Sequence, residues 1–156
     1  MGHISFNTPL GIISLSEHLG KISSLYWGPL ETNSSTEIIQ EAKRQVQKYF
    51  AGSLKNFQLP IMFSGLSMQQ AVYRELRKIP FGDTRSYGDI ARLIGYSPRA
   101  VGVACARNTL PIIIPCHRVV AACGKMAGYS AGNGVQTKTW LLNHEKTALL
   151  NMTLMQ

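Results

Sequence analysis

The sequence has few cysteines, few acidic residues and no long apolar run. Its three cysteines (Cys105, Cys116 and Cys123) are an odd number, without the dense, even spacing of a disulfide-stabilised secreted protein. No two of them have the spacing of two to four residues that structural zinc sites use. No apolar stretch approaches the roughly 18 residues of a membrane-spanning helix, and the N-terminus lacks the basic and apolar regions of a signal peptide. These absences predict a protein of a reducing compartment that binds no metal and no membrane.

The charge of the chain is unevenly distributed. Its 16 basic side chains outnumber the 8 acidic ones, which gives a formal net charge of +8. Residues 1–70 carry five basic and four acidic side chains, whereas residues 71–156 carry eleven and four. A basic excess confined to one part of a chain is typical of proteins that bind a polyanion such as nucleic acid, although charge also serves solubility.

Residues 1–58 have the pattern of a small α/β lobe with an antiparallel sheet and one helix. Three short runs rich in β-branched and aromatic residues, separated by turn signals, predict a β-meander over about the first 30 residues. A helix is then predicted from Ser34 to Ala51, because Ser34 and Glu37 form a capping box and apolar residues recur on one face. No residue of this lobe suggests a chemical role.

Residues 62–150 are predicted to form a mostly α-helical domain that contains a helix-turn-helix. A short helix begins after Ser86 and is closed by Gly95. A second helix begins at Ser97, an N-cap residue followed by proline, and runs to about Arg107. Two short helices joined by a tight, glycine-containing turn have the arrangement of a helix-turn-helix.

The second helix of this pair is suited to close contact with another surface. It begins with Arg99 and continues with small side chains at Ala100, Gly102, Ala104 and Ala106. Small side chains let a helix approach its partner closely, and Arg99 projects from the N-terminal end. On a basic part of the chain this pattern favours contact with nucleic acid, and tight packing within the protein is the alternative.

A proline-bounded segment leads to the most reactive residues of the chain. Three isoleucines between Pro111 and Pro115 predict a buried, extended segment that ends at Cys116 and His117. A thiol beside an imidazole can act as a nucleophile with its base. Neighbouring side chains of an extended strand point to opposite sides, so their cooperation requires a turn of the backbone or a bridging water. The alternative is that Cys116 is a small buried hydrophobic residue and His117 a hydrogen-bonded polar one.

The chain contains, in order, the motifs SYGDIARLIG, RAVGVACARN, IPCHRVV, GYSAG and KTWLLNHE. This series resembles the active-site region of the O6-alkylguanine-DNA alkyltransferases (methylated-DNA–protein-cysteine methyltransferases) over about residues 60–146. The N-terminal third matches that family only in general layout. The resemblance implies DNA repair by transfer of a methyl or other alkyl group from O6 of guanine, and from O4 of thymine, to Cys116. The transfer would be irreversible, would occur once per molecule and would need no cofactor.

The same resemblance implies how the partner is bound. We expect a monomer that binds double-stranded DNA through the minor groove, with the alkylated base flipped out of the stack. The expected location is the cytoplasm, in association with the nucleoid, or the nucleus.

The resemblance also assigns roles to residues that occupy matching positions in the motifs. Cys116 would accept the alkyl group, His117 would take its proton through a water, and Glu145 would orient the imidazole. Tyr87 would donate a hydrogen bond to the guanine ring, and Arg99 would fill the space left by the flipped nucleotide. The remaining residues, which hold the base or brace its pocket, would be Asn108, Pro111, Val119, Tyr129 and Ser130.

Two positions depart from the family's usual pattern. The segment between Gly95 and Arg99 is about two residues shorter. Ala127 stands where the family commonly has glycine, and its methyl group predicts a narrower pocket that favours methyl over bulkier alkyl groups. Comparing the rates with methylated and benzylated guanine in the Ala127→Gly variant tests that expectation.

Three other functions are compatible with parts of the pattern. The first is a DNA-binding sensor that recognises alkylguanine without repairing it, although the presence of Cys116 opposes this function. The others are a Cys-His hydrolase with steady turnover and a basic structural DNA-binding protein.

Overall fold

The computed structural model describes residues 1–123 and 129–155, and the chain divides into two compact units, Met1–Phe63 and Ser64–Gln156. Ala127, to which the sequence assigns a role in pocket size, lies outside the described residues. None of the helices within the described ranges is both long and apolar enough to cross a membrane.

The first unit contains a three-stranded antiparallel sheet, as the meander pattern predicts. Its strands are β1 (His3–Thr8), β2 (Gly11–His18) and β3 (Lys21–Trp27), and they pair in the order β1-β2-β3. The turn between β2 and β3 contains Gly20 with φ of 77°, a value that glycine adopts without steric cost. In β1 the buried side chains, Ile4 and Phe6, alternate with less buried ones, which is typical of a strand with one face on a core.

Helix α1 (Glu37–Phe50) packs against this sheet with a fully buried stripe at Ile39, Ala42, Val46 and Tyr49. The spacing of these residues places them on one face of an α-helix, as predicted.

The predicted start of α1 at Ser34 is wrong. The N-cap is Thr36, whose side chain accepts a hydrogen bond from the Ile39 amide at 3.3 Å. Ser34 instead exchanges two backbone hydrogen bonds with His3, at 2.9 and 2.8 Å, and thereby extends the pairing of β1. A backbone committed to this pairing cannot also begin the helix.

The second unit is mostly helical and holds all the residues to which the sequence assigns a site role. Its elements, in chain order, are α2 (Ser67–Leu76), β4 (Arg85–Ser86), α3 (Tyr87–Ile94), α4 (Pro98–Ala106), a 3₁₀ helix (Cys116–Arg118), β5 (Val119–Val120) and α5 (Val135–Leu154). Strands β4 and β5 form a short parallel pair that the sequence did not predict.

The predicted helix-turn-helix is formed by α3 and α4. Ser86 Oγ accepts from the Asp89 amide at 2.9 Å, and Asp89 accepts in return from the Ser86 amide at 3.0 Å. Gly95 ends α3 in the left-handed conformation, and Ser97 caps α4 through the Ala100 amide at 3.1 Å. Each of these signals is local in sequence, which is why the predicted bounds hold.

The segment between Pro111 and Pro115 is buried as predicted, but it is not extended. Ile112 has φ of 76°, and the Ile114 amide donates to the Leu110 carbonyl at 2.8 Å, so the chain reverses direction there. Proline restricts mainly its own φ and the residue before it. Ile112 and Ile113, which do not directly precede a proline, therefore remained able to form a turn.

Candidate functional site

Cys116 lies at the start of the 3₁₀ helix and is 5% exposed. The side-chain amide of Asn108 donates to its sulfur at 3.2 Å and to the Ile114 carbonyl at 2.9 Å. Burial raises the pKa of the Cys116 thiol, although the Asn108 hydrogen bond and the charge of Lys138 act in the opposite direction. The resting sulfur at neutral pH is therefore a thiol, and it needs a base in order to react.

His117 and Glu145 are fully buried and form a short contact between Nε2 and Oε2, at 2.6 Å. Burial lowers the pKa of His117, and the charges of Arg118 and Lys138 add to this effect against the opposing influence of Glu145. The imidazole is thus neutral at neutral pH. Because Nε2 donates to the carboxylate, Nδ1 carries the lone pair. Within the described part of the chain, this buried Nδ1 has no hydrogen-bond partner.

Glu145 is held by more than the imidazole. Arg118 donates to it twice, from Nε to Oε1 at 2.9 Å and from Nη2 to Oε2 at 3.1 Å, and the Gly82 amide donates to Oε1 at 3.0 Å. Burial opposes ionisation of Glu145, but the hydrogen bonds and charges of His117 and Arg118 outweigh it and hold its pKa well below the usual range. Gly82 has φ of 84°, a left-handed conformation that glycine adopts without steric cost and that other residues adopt only with strain.

Arg118, for which the sequence leaves a structural role and a phosphate contact as alternatives, therefore has a structural role. Its guanidinium also donates from Nη1 to the Ile79 carbonyl at 2.8 Å and lies 5.7 Å from the ring centre of Phe81. Paired guanidinium and carboxylate groups are the form in which buried charges are tolerated. This arrangement fixes the orientation of Glu145, and through it that of His117.

The sequence of the last helix predicts one side with Trp140, Leu141, His144 and Ala148 and puts Glu145 at its edge. The structure instead places Glu145 in the middle of the buried face of α5. It is 0% exposed and lies between the buried residues Leu141, Leu142 and Ala148. The partly exposed side of the helix carries Trp140 and His144, which stack with ring centres 4.8 Å apart. The sequence grouped these rings with the buried face.

Burial raises the pKa of the Tyr87 and Tyr129 phenols, and ionisation of Cys116 would raise both further. Tyr87 is the first residue of α3 and is half-buried, and burial raises its pKa to about 12. Tyr129 is buried, which raises the pKa of its phenol strongly, and its hydroxyl has no hydrogen-bond partner among the described residues. Both phenols are therefore protonated and able to donate at neutral pH.

The other predicted pocket residues differ in their surroundings. Val119 is buried, and its amide donates to the Cys116 carbonyl, so its backbone is joined to the turn that carries the sulfur. Pro111 is buried and its backbone pairs with Ile114. Ser130 is exposed.

Arg99 is exposed at the second position of α4, as the sequence predicts. The small side chains of α4 are divided between two faces. Ala106 is exposed and Gly102 borders open space, whereas Ala104 is buried and its carbonyl accepts from the Tyr73 hydroxyl at 2.8 Å. The small residues of α4 thus lie on two faces, one packed within the protein and one open to solvent.

Lys138 is a site residue that the sequence did not reveal. It is 1% exposed, its ammonium donates to the Val119 carbonyl at 2.5 Å, and it lies 5.7 Å from the ring centre of Tyr87. Its position seven residues before Glu145 puts both on one side of α5, which is the only signal in the sequence that could have linked them.

Comparison with known proteins identifies relatives of both units. The family described as 6-O-methylguanine DNA methyltransferase, DNA binding domain, matches residues 67–147, and the ribonuclease-like domain of the same name matches residues 1–63. The chain is 42% identical over 153 residues to the constitutive methylated-DNA–protein-cysteine methyltransferase of Bacillus subtilis, a match that covers 89% of this chain and 92% of that protein.

Solved structures give the same result. The crystal structure of Mycobacterium tuberculosis OGT in complex with DNA has a TM-score of 0.83 and 38% identity, with coverage of 95% of this chain and 94% of that one. The O6-methylguanine DNA methyltransferase of Methanococcus jannaschii has a TM-score of 0.67 and 28% identity, with coverage of 92% and 93%. The chain therefore belongs to the 6-O-methylguanine DNA methyltransferase family.

Proposed function

We propose that this protein repairs DNA by transferring a methyl or other alkyl group from O6 of guanine to the sulfur of Cys116. It is a methylated-DNA–protein-cysteine methyltransferase, as its relatives are named. The observation that carries the residue assignment is the contact of Glu145 with His117, which leaves Nδ1 of a neutral, buried imidazole without a partner among the described residues, in the residue that follows the nucleophile.

The first step is removal of the thiol proton from Cys116. The raised pKa of this thiol means that a base must take the proton when the substrate is in place. His117 is the base, and a water between Nδ1 and the sulfur carries the proton, because the 3₁₀ turn gives the two side chains no direct hydrogen bond among the described contacts. Glu145 then stabilises the imidazolium that forms.

The second step is in-line displacement at the alkyl carbon. The thiolate forms a carbon–sulfur bond as the bond from that carbon to O6 breaks, and the electron pair stays on the guanine. Tyr87 donates a hydrogen bond to the ring as negative charge develops there. The guanine anion takes a proton from water and leaves as neutral guanine, and His117 returns the thiol proton to the resulting hydroxide, so the step balances. The resulting thioether has no acyl carbonyl that water could attack, so the protein acts once per molecule.

The base must leave the duplex to reach the sulfur. Cys116 is 5% exposed, and a base stacked within DNA cannot approach a buried atom in line. The exposed Arg99 and the open surface at Gly102 and Ala106 support docking of α4 in the minor groove, with Arg99 filling the space of the flipped nucleotide. The protein acts as a monomer, where cellular DNA lies, in the nucleoid-containing cytoplasm or the nucleus.

The flipped base is held by backbone and aromatic groups close to the sulfur. The backbone of Val119 and Ser130 binds the edges of the base, and Pro111, Asn108 and Tyr129 brace the pocket. The burial of Pro111, Val119 and Tyr129 and the two hydrogen bonds of Asn108 support this assignment. A pocket built from such groups also accepts O4-alkylthymine, which presents its alkyl oxygen in the same way.

Mass spectrometry after incubation with duplex DNA containing O6-methylguanine tests the function. The expected result is one added methyl group per protein, located on the peptide that contains Cys116, with no further turnover. Cys116→Ala abolishes the addition, whereas Cys123→Ala, which removes an exposed free thiol, leaves it unchanged. Binding of the damaged duplex without methylation would identify a sensor, and steady turnover would identify a hydrolase.

A further inference from the structure

Lys138 combines nearly complete burial with a polar anchor. Its side chain is 1% exposed, and its ammonium donates to the Val119 carbonyl at 2.5 Å. The ammonium also lies 5.7 Å from the ring centre of Tyr87, within the range of a cation–π interaction. Lysine is among the residues most rarely buried, because taking an ammonium from water is costly. A buried lysine inside a site therefore calls for an explanation in the chemistry of that site.

The anchor of Lys138 belongs to the turn that carries the nucleophile. The Val119 carbonyl accepts from Lys138, while the Val119 amide donates to the Cys116 carbonyl. Two hydrogen bonds, both through the backbone of Val119, thus connect the ammonium to Cys116. On its other side Lys138 contacts Tyr87, so it lies between the nucleophile's turn and the start of the helix-turn-helix.

Among residues 1–123 and 129–155, the titratable groups of the Cys116 site lie on α2, α3, α4 and α5, on the 3₁₀ turn and at Tyr129. They are Tyr73 of α2, Tyr87 of α3, Cys105 of α4, Lys138 and Glu145 of α5, His117 and Arg118 of the turn, and Tyr129. The phenols and Cys105 are neutral at neutral pH because burial raises their pKa values. The charge of Arg118 is matched by its ion pair with Glu145.

Lys138 is accordingly the cation that acts on the sulfur among these groups. Its charge lowers the pKa of both Cys116 and Cys105, and the charge of each thiolate in turn raises the pKa of Lys138. Burial alone lowers the pKa of Lys138. The charged forms of the lysine and the cysteine therefore favour one another, as expected for a thiolate beside an ammonium.

We propose that Lys138 is a positioning residue whose ammonium, held on the Val119 carbonyl, stabilises the thiolate that Cys116 becomes during alkyl transfer. The proposal rests on the proposed function and extends it by dividing the work between two groups. His117 accepts the proton, and Lys138 supplies the positive charge that keeps the resulting anion from being reprotonated before the transfer. No oxidant, metal or cofactor enters this step.

The test is the pH profile of Cys116 alkylation by iodoacetamide, measured without DNA. Peptide mass spectrometry distinguishes Cys116 from Cys105 and Cys123, so all three cysteines can stay in place. In Lys138→Gln, which keeps a hydrogen-bond donor but removes the charge, we expect the midpoint to rise by about one pH unit. At pH values well below the midpoint, this shift corresponds to a roughly ten-fold lower alkylation rate.

Two further variants make the result specific. Lys138→Arg keeps a positive charge, so its midpoint should lie close to that of the wild-type protein. Lys146→Gln removes an exposed lysine of the same helix and should leave the midpoint unchanged. An unshifted midpoint in a folded Lys138→Gln protein would overturn the proposal. If Lys138→Gln does not fold, Lys138→Met takes its place, because an apolar side chain of similar length removes the buried polar group altogether.

A parallel single-turnover assay with methylated duplex DNA separates this proposal from the proposed function. If the midpoint shifts in Lys138→Gln but the wild-type protein transfers no methyl group, the role of Lys138 stands and the repair function is rejected. Normal methyl transfer by the wild-type protein, together with an unshifted midpoint in Lys138→Gln, would support the repair function and reject the role of Lys138.

Discussion

The side-chain amide of Asn108 lies 3.2 Å from the sulfur of Cys116 and 2.9 Å from the carbonyl of Ile114. Its oxygen accepts in addition from the Leu110 amide at 2.9 Å. One side chain thus closes the turn between Leu110 and Ile114 and also contacts the nucleophile. The geometry of the turn and the reactivity of the sulfur therefore depend on the same residue.

The Asn108→Ala variant should lose stability as well as activity. Removing three partly buried hydrogen bonds costs about 2 kcal/mol or more in the free energy of unfolding. Loss of the donor to the sulfur should lower the single-turnover rate by roughly 10- to 100-fold. Urea unfolding and a quenched methyl-transfer assay measure the two effects. Asn108→Asp keeps the acceptor for Leu110 but replaces the donor to the sulfur with an anion, so its rate should also fall. A methyl-transfer rate equal to that of the wild type would contradict the role of Asn108 as a donor to Cys116.

The Glu145→Gln variant tests the buried ion pair. It leaves Arg118 without a charged partner in the interior, which typically costs about 3–5 kcal/mol, and it removes the group that stabilises the imidazolium of His117. We expect the methyl-transfer rate to fall by about 10²- to 10⁴-fold. Glu75→Gln is the matched control, because Glu75 forms a surface ion pair with Lys78 worth about 1 kcal/mol or less. Equal losses of stability and of methyl-transfer rate in Glu145→Gln and Glu75→Gln would contradict the assignment of Glu145 as the partner of His117.

The Arg99→Ala variant separates DNA docking from chemistry. Transfer from damaged duplex DNA should slow by about ten-fold or more, because the space of the flipped nucleotide is no longer filled. Transfer from the free base O6-methylguanine should be unchanged, since no duplex is opened. Arg77→Ala, which removes another exposed arginine of the second unit, is the control. A loss with both substrates would show that Arg99 supports the fold instead.

The pH dependence of stability follows from the buried groups. The pKa values of His117 and Glu145 are lowered in the folded protein, so the unfolded chain binds protons more readily. The free energy of unfolding should fall below about pH 6.5 through His117 and fall further below about pH 4.3 through Glu145. The raised pKa of Cys116 has the opposite sign and should reduce stability above about pH 8.5.

Urea unfolding between about pH 5 and pH 9 measures this profile. In His117→Gln the loss of stability that starts near pH 6.5 should disappear, whereas His144→Gln, on the partly exposed side of α5, should retain it. A profile of the same shape in both variants would assign the acid-side loss to other groups.

The sequence predicted those features whose cause lies within a few residues. The caps at Ser86 and Ser97 and the left-handed end at Gly95 are local signals, and the structure has all three. The start of α1 was misplaced because the pairing of Ser34 with His3 spans 31 residues of chain. Local capping signals carry no information on such pairing.

The chemical site was predictable in its residue types but not in its geometry. Cys116 and His117 were evident from their adjacency, and the family resemblance singled out Glu145. The bidentate contact of Arg118 with Glu145 and the contact of Lys138 with Val119 join residues that are 27 and 19 positions apart. No periodicity or motif encodes such contacts, because they depend on how α5 packs against the Cys116 turn.

The short parallel pair of β4 and β5 has a consequence for insertions and deletions. It aligns Arg85 with Val119 and Ser86 with Val120, so it ties the residue that caps α3 to the residues directly after the 3₁₀ turn that carries Cys116. An added residue in either strand would shift the sulfur relative to the start of α3 by about 3.3 Å, too far for alkyl transfer. Length changes within residues 129–134, outside this pairing, would leave that separation intact.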